Sequence, residues 1–371
     1  MKKAVFLIIF IPGFCALSVL CAGRSQGMET DKQGNVFSLQ RDTGVMGEYW
    51  DVRTVEATGW GGQYNSIAID YKGHVHISYV VNGDLKYARW TGAAWNIQTV
   101  DNSGMVDWSN SIALDDKGYA HISYNCSGDL KYARWTGLVW EITSMGNPRP
   151  MVWSTSIAVD ADGHPHISYA GNGGFGLKYA HWNGKEWSIV TVDCGMSING
   201  WGTSIALDGD GHPHISYSDG GLKHAWMDGA VWSVASVDSS CPTVWSTSIA
   251  VDKNGYSHIS YAGGGSLKYA RWTGSGWDIT GMGSNRVAWG TLTSLALDKK
   301  GHPHITYSDG NLEHMRWTGS FWDVTTVDNT RWAGLLNSIA IDKKGYPHII
   351  YFDGLDLSLK YARLVARGTA R

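Results

Sequence analysis

The chain has 371 residues, a net charge of −3 and only 17% charged residues, which gives no electrostatic case for a nucleic-acid partner and excludes a disordered or coiled-coil chain. Glycine (47) and tryptophan (20) are both abundant, and beyond the N-terminus no segment carries the 3.6-residue apolar period of a helix. The expectation is an all-β protein.

Residues 1–23 read as a signal peptide. Lys2 and Lys3 form the positive start, Ala4 to Leu20 is apolar, and Ala22 and Gly23 are small. Cys21 offers lipid attachment as an alternative, although Leu20 stands where a small residue is normally needed; an uncleaved anchor is the third reading. Residues 24–48 are polar and aperiodic and read as a linker or mobile arm. These features place the protein outside the cytoplasm, secreted or periplasmic/cell-surface, with no membrane span once the signal is cleaved.

From Ser66 onward one string recurs seven times: S-I-A-[VIL]-D-x-x-G-x-x-H-I-S-Y, with small variations, starting at Ser66, Ser111, Ser156, Ser204, Ser248, Ser294 and Ser338. Successive starts differ by 45, 45, 48, 44, 46 and 44 residues. Each copy reads as four short strands. In the second copy these are SIALD, AHISY, LKYARW and WEITSM. D-x-x-G forms the first turn, with Asp bonding nearby amides and Gly supplying positive φ. Four antiparallel strands repeated seven times specify a seven-bladed β-propeller over 49–365. The last copy stops after its third strand, while Tyr49 to Val55 (YWDVRTV) matches a fourth strand. The N-terminal strand is therefore expected to complete the last blade and remove an exposed sheet edge. Residues 366–371 form a short tail.

A residue present in every copy reads as part of the blade. His76, His121, His166, His214, His258, His304 and His348 are read as buried imidazoles bonded to a neighbouring polar group, such as the turn Asp or the strand Ser. No metal site and no cofactor is implied. Asp160-Ala161-Asp162-Gly163 and Asp208-Gly209-Asp210-Gly211 faintly resemble calcium loops but lack the further oxygen ligands. Arg89, Arg134, Arg271, Arg316 and Arg363 share a third-strand position and read as rim or inter-blade groups. The Trp residues that open the fourth strands, Trp50 to Trp322, read as packing between blades. Cys126, Cys194 and Cys241 remain after signal removal, and an odd number leaves a thiol free or paired outside the chain. Cys194 and Cys241 occupy corresponding links of neighbouring blades, which would allow a bridge.

The second-to-third turns and the inter-blade links share one face of the ring and are the longer, more variable connections, where sites usually sit. Each link carries one Trp: Trp60, Trp108, Trp153, Trp201, Trp245, Trp289 and Trp332. Adjoining turns carry Asn82, Asp84, Asn125, Asn172, Asp219, Asp309 and Asp353. Aromatic faces beside polar acceptors suit sugar rings; the alternative is that these Trp plug the channel or the blade gaps. Arg149, Arg286 and Arg331 break the repeat on this face and suit a carboxylate or sulfate group.

Through A-[IVL]-D-x-x-G-x-x-H-I-S-Y followed by L-K-Y-A-R-W-T-G, as at Ala68 to Tyr79 and Leu85 to Gly92, the chain resembles secreted bacterial propeller repeats of the sialidase-like (BNR) and NHL-like kinds over Tyr49 to Val365. The resemblance implies the propeller. It departs from the sialidase box S-x-D-x-G-x-x-W, because here Asp precedes Gly by three residues and His replaces Trp. The reading is an exported, monomeric binding module that takes a glycan or polysaccharide on the long-loop face, with no assigned catalytic residue. The alternatives are a protein-interaction scaffold and a sialidase-like glycoside hydrolase, the latter drawing on Asp107, Asp219, Asp309, Asp353 and Tyr64.

Overall fold

The structure, a computed structural model, describes residues 29–30, 36–37, 40–41 and 47–366, apart from 60, 63, 147–151, 172–175, 196–201, 284–291 and 331; the side chains of Trp108 and Leu335 also fall outside the description. The proposed signal peptide and C-terminal tail lie outside the described residues, apart from Ala366.

The turn chemistry sets the hairpins. Asp70 Oδ1 accepts from the Lys72 and His74 amides at 2.9 and 2.8 Å, and Gly73 follows at φ +85°. The same pair of bonds recurs at Asp115, Asp160, Asp208, Asp252, Asp298 and Asp342. The strand after each turn lies second in its sheet and is buried along its length, as in Val75–Val81 and Ala120–Cys126.

Seven antiparallel four-stranded sheets result. Blades 1 to 6 begin at Asn65–Ile69, Val106–Leu114, Val152–Val159, Thr203–Leu207, Val244–Val251 and Ser294–Leu297. They end at Trp95–Asp101, Trp140–Ser144, Trp187–Asp193, Val231–Asp238, Trp277–Gly281 and Trp322–Asp328. Blade 7 takes Ala333–Ile341, Pro347–Asp353 and Ser358–Ala366 from the C-terminus and Glu48–Ala57 from the N-terminus. The register runs from Ser358↔Ala57 to Ala366↔Glu48, so the expected closure is present. Within the segment read as a linker, Gln40–Arg41 pairs parallel to Asp323–Val324 as a fifth strand on blade 6, and Glu29–Thr30 pairs with Val36–Phe37.

The repeated residues explain how the blades hold one another. First strands of neighbouring blades touch around the whole ring, including blade 7 on blade 1. The Ser that opens each copy accepts from the backbone of the next blade: Ser66 Oγ takes the Ile112 amide at 3.2 Å, and Ser111, Ser156, Ser204, Ser248 and Ser294 repeat the bond. Ser338 closes the circle on the Ile67 amide at 3.4 Å. Deeper in, the second-strand hydroxyl bonds the residue before the next blade's Ser, as in Ser78 to Asn110 and Thr155 to Ser123. At the seam between blades 7 and 1 Ile350 takes that place.

Outermost, each fourth-strand Trp packs edge-on against a third-strand ring of the preceding blade. Tyr87–Trp140, Tyr132–Trp187, Tyr179–Trp232, His224–Trp277, Tyr269–Trp322, His314–Trp50 and Tyr361–Trp95 have ring centroids 5.0 to 5.4 Å apart. This is the inter-blade packing expected of those residues, and Trp50 carries it into the N-terminal strand. Edge-to-face pairs of this kind add about 0.5–1.5 kcal/mol each beyond area burial.

Candidate functional site

At the short-turn end, the second-strand His is structural in most blades. His76 Nδ1 meets the Tyr87 hydroxyl at 2.6 Å, and His121, His166, His258 and His348 meet Tyr132, Tyr179, Tyr269 and Tyr361 in the same way. In blades 4 and 6 the partner is His224 or His314. The other ring nitrogen faces the turn Asp, at 3.6 Å for Asp70 and 3.5 Å for Asp342. Burial, and then the neighbouring Arg89, pushes the His76 pKa down to about 4; burial does the same for His121, His304 and His348. These imidazoles are neutral at pH 7.

Opposite each such His stands one third-strand residue. The register pairs His76 with Arg89, His121 with Arg134, His258 with Arg271, His304 with Arg316 and His348 with Arg363. In blade 4 it pairs His214 with Trp226, and in blade 3 it pairs His166 with His181. His181 was not singled out in the sequence. The signal was there, as one of two departures from a shared Arg, the other being Trp226.

At the long-loop end the commonest arrangement is an acid at the end of one blade gripped by the next. Asp101 accepts from the Tyr124 hydroxyl at 2.7 Å and from Lys131 Nζ at 2.9 Å. Asp193 receives Tyr217 and Lys223, and Asp238 receives Tyr261 and Lys268. Glu56 of the N-terminal strand receives Tyr79 and Lys86. Burial opposes the charge on Asp101, but hydrogen bonds from Ser103, Tyr124 and Lys131 outweigh it and hold the carboxyl well below its ordinary range. At two seams, after blades 2 and 5, Met145 and Met282 follow the fourth strand in place of that acid.

The turn groups read as sugar acceptors divide. Asn125 is fully buried, donates to the Val152 carbonyl at 2.7 Å and caps its own turn through the Gly128 amide, so it belongs to the blade. Asp219 is bonded by Lys223, and the buried Asp353 by Lys360. Asn82 stays exposed on a left-handed turn (φ +53°). Asn172 lies outside the described residues.

Of the link Trp residues, Trp153 and Trp245 sit part-buried at β-bulges in the first strands of blades 3 and 5. Trp332 is 51% exposed and has φ +76°. A bulky residue in the left-handed region costs roughly 1–2 kcal/mol and marks a position held by its surroundings. The Gly354 amide donates to the Trp332 carbonyl at 3.3 Å, and a Cβ on Gly354 would meet the Trp332 Cβ at 3.1 Å. Beside it the Thr330 hydroxyl bonds Asp328 (2.7 Å) and Asp353 (3.2 Å), Tyr351 bonds Asp328 (2.6 Å), and Lys360 lies between Asp353 and Asp356. Trp60, Trp201, Trp289, Arg149, Arg286 and Arg331 lie outside the described residues, as does the Trp108 side chain.

Among the residues of the hydrolase alternative, burial raises the pKa of Asp107, and burial and then the Asp107 charge raise that of Tyr64. Cys126, Cys194 and Cys241 are all free thiols, so the bridge between Cys194 and Cys241 is absent; Cys241 is buried with its Sγ 3.2 Å from the Thr243 carbonyl. No helix among the described residues is long and apolar enough to cross a membrane.

No family model and no curated protein matches the chain. Solved structures do. A catalytically inactive virginiamycin B lyase from Staphylococcus aureus, with quinupristin, is similar at TM-score 0.61 and 12% identity over 86% of this chain and 99% of that one. YCF48 bound to a D1 peptide gives 0.59 at 16% identity, over 87% and 97%. The SapL1 lectin in complex with alpha methyl fucoside gives 0.54 at 14% identity, over 74% and 99%. At these identities the likeness establishes the propeller fold.

Proposed function

We propose that the protein is an exported glycan-binding propeller and that its long-loop end carries the site. One observation carries the reading: Trp332 is an exposed aromatic face, fixed by a left-handed backbone, beside the Asp328–Thr330–Asp353–Lys360 cluster. An indole face takes the C–H side of a sugar ring, and the part-buried Asp328 and Thr330 offer polar groups to its edge. The SapL1 lectin, of similar fold and solved in complex with alpha methyl fucoside, supports the reading. The link residues Trp60, Trp108, Trp153, Trp201, Trp245 and Trp289, with Arg149, Arg286 and Arg331, extend the proposed face around the ring.

The experiment is a glycan array with the wild type and Trp332→Ala. Binding in the wild type that drops at least tenfold in the variant, at an unchanged melting temperature, supports the proposal. Absence of binding to any glycan, or equal binding by the variant, refutes it; in that event capture of an extended peptide would favour the scaffold reading. Hydrolysis has one observation behind it: burial raises the pKa of Asp107, beside Tyr64, and a raised carboxyl pKa is the direction a general acid needs. Release of sugar from a bound glycan that Asp107→Asn abolishes would make the protein an enzyme.

A further inference from the structure

At the short-turn end, between blades 3 and 4, a cleft of about 770 Å³ opens. Its walls include Asp160, His166 and His181 of blade 3 and Asp208, Asp210 and His212 of blade 4. Blade 1 shows what an Arg does at this position. In blade 1 the Arg89 guanidinium lies 3.9 Å from Asp70 Oδ2 and 3.1 Å from His74 Nδ1, so a fixed cation sits over the turn carboxylate. In blade 3 His181 replaces that Arg. The replacement removes the cation and brings a second imidazole against the first, with ring centroids of His166 and His181 4.2 Å apart.

Three donor atoms lie near one another here. His166 Nδ1 is occupied by the Tyr179 hydroxyl at 2.6 Å, which leaves Nε2, and that nitrogen faces Asp160 Oδ2 at 3.4 Å. Asp160, His166 and His181 each present a ligand atom within 4.8 Å of the others. An ion with bonds of about 2.0–2.2 Å needs these atoms slightly closer, a small rotation for the half-buried His181 ring. A hydrogen bond that fixes the far nitrogen of a ligating His is the outer-shell support such sites use. Asp162 and His164 also approach Asp160.

We propose that Asp160, His166 and His181 form a binding site for one divalent transition-metal ion of the zinc class. Two imidazoles and one carboxylate suit zinc, nickel, cobalt or ferrous iron over calcium or magnesium, which prefer all-oxygen sets. Three protein ligands leave positions open toward the cleft for water or a small ligand. The ion restores the positive charge that Arg supplies in five of the other blades. It also separates blade 3 from the remaining six, whose His keep the structural role read from the repeat.

The test uses tag-free, EDTA-treated full-length protein, titrated calorimetrically with zinc and followed by absorption with cobalt. The expected result is one ion per chain, an imidazole-ligated cobalt spectrum and a melting temperature that rises with zinc. His181→Arg restores the residue of five other blades, so it should fold and melt like the metal-free wild type. It should weaken zinc by more than the roughly 10–100-fold that removing an outer-shell partner costs. His181→Ala should do the same without adding a charge. No stoichiometric binding by the wild type, or wild-type affinity in both variants, would overturn the proposal.

Discussion

The two ends of the blades are made by the same strands, yet they differ in what repeats. At the short-turn end the turn Asp with its two amide bonds is present in all seven copies, and the Asp–His–Tyr chain continues it in five. At the long-loop end the acid–Tyr–Lys grip is present at only some seams, the links differ in length and one Trp is forced into a left-handed backbone. A bond made identically in every blade cannot single out a ligand. It can only hold the ring. Specific chemistry must therefore sit where copies differ, and that criterion selects Trp332 at one end and His181 at the other.

The ring itself is the most sensitive part of this contrast. A protein that begins after Ala57 loses the fourth strand of blade 7, the Trp50–His314 contact and the Glu56 acceptor for Tyr79 and Lys86. Loss of cooperative melting, or aggregation through the freed strand edge, is the expected outcome in calorimetry. A melting curve like that of the full chain would show that closure contributes nothing.

Acid should attack the uniform end first. The pKa values of His76, His121, His304 and His348 are depressed from the ordinary 6.5 to about 4, chiefly by burial. The unfolded chain then binds more protons than the folded one between these values. The associated stability is complete above about pH 6.5 and is lost as pH falls toward 4. Each such imidazole is worth on the order of 3 kcal/mol, so several together approach the whole stability of a domain. Denaturant midpoints measured from pH 7.5 to 4 should fall steeply below 6.5; a flat profile would mean that these histidines are not buried neutral.

The variable end offers a smaller, local test. Asp101→Ala leaves the buried Tyr124 hydroxyl without its acceptor and removes the charged partner of Lys131, which keeps only Ser103, and should cost about 2–3 kcal/mol. Met145→Ala, at a seam without that acid, removes only half-buried apolar contact and should cost less. Equal losses in urea unfolding would show that the acid grip is not what distinguishes these seams.

The propeller was legible because its signals are local and repeated. Asp70, Gly73 and His76 each report a turn or a strand, and seven copies average away the exceptions. Closure was legible from phase alone, since a copy without a fourth strand and a leading strand without a copy complement each other. Asn125 was misjudged because a turn amide has the same sequence signature whether it points to solvent or to the Val152 carbonyl of the next blade. His181 escaped notice because a substitution at one repeat position reads as drift until the register sets it opposite His166. The Cys194–Cys241 bridge failed for a similar reason: equivalent links in neighbouring blades hold equivalent positions, and that correspondence did not bring the thiols together.

The smallest effect tests whether Trp332 is held for function. Its backbone is at φ +76° and its side chain is half exposed, so it loses strain energy and gains little burial. Trp332→Gly relieves the left-handed strain that Trp332→Ala retains, and the Gly variant should be the more stable of the two by about 1 kcal/mol. Had the indole been a plug, both variants should fall by roughly 3–5 kcal/mol, the usual cost of truncating a buried aromatic. A Gly variant at least as stable as the wild type, yet unable to bind the glycan that the wild type binds, would show that this position gives up stability for recognition, as strained residues at binding sites do.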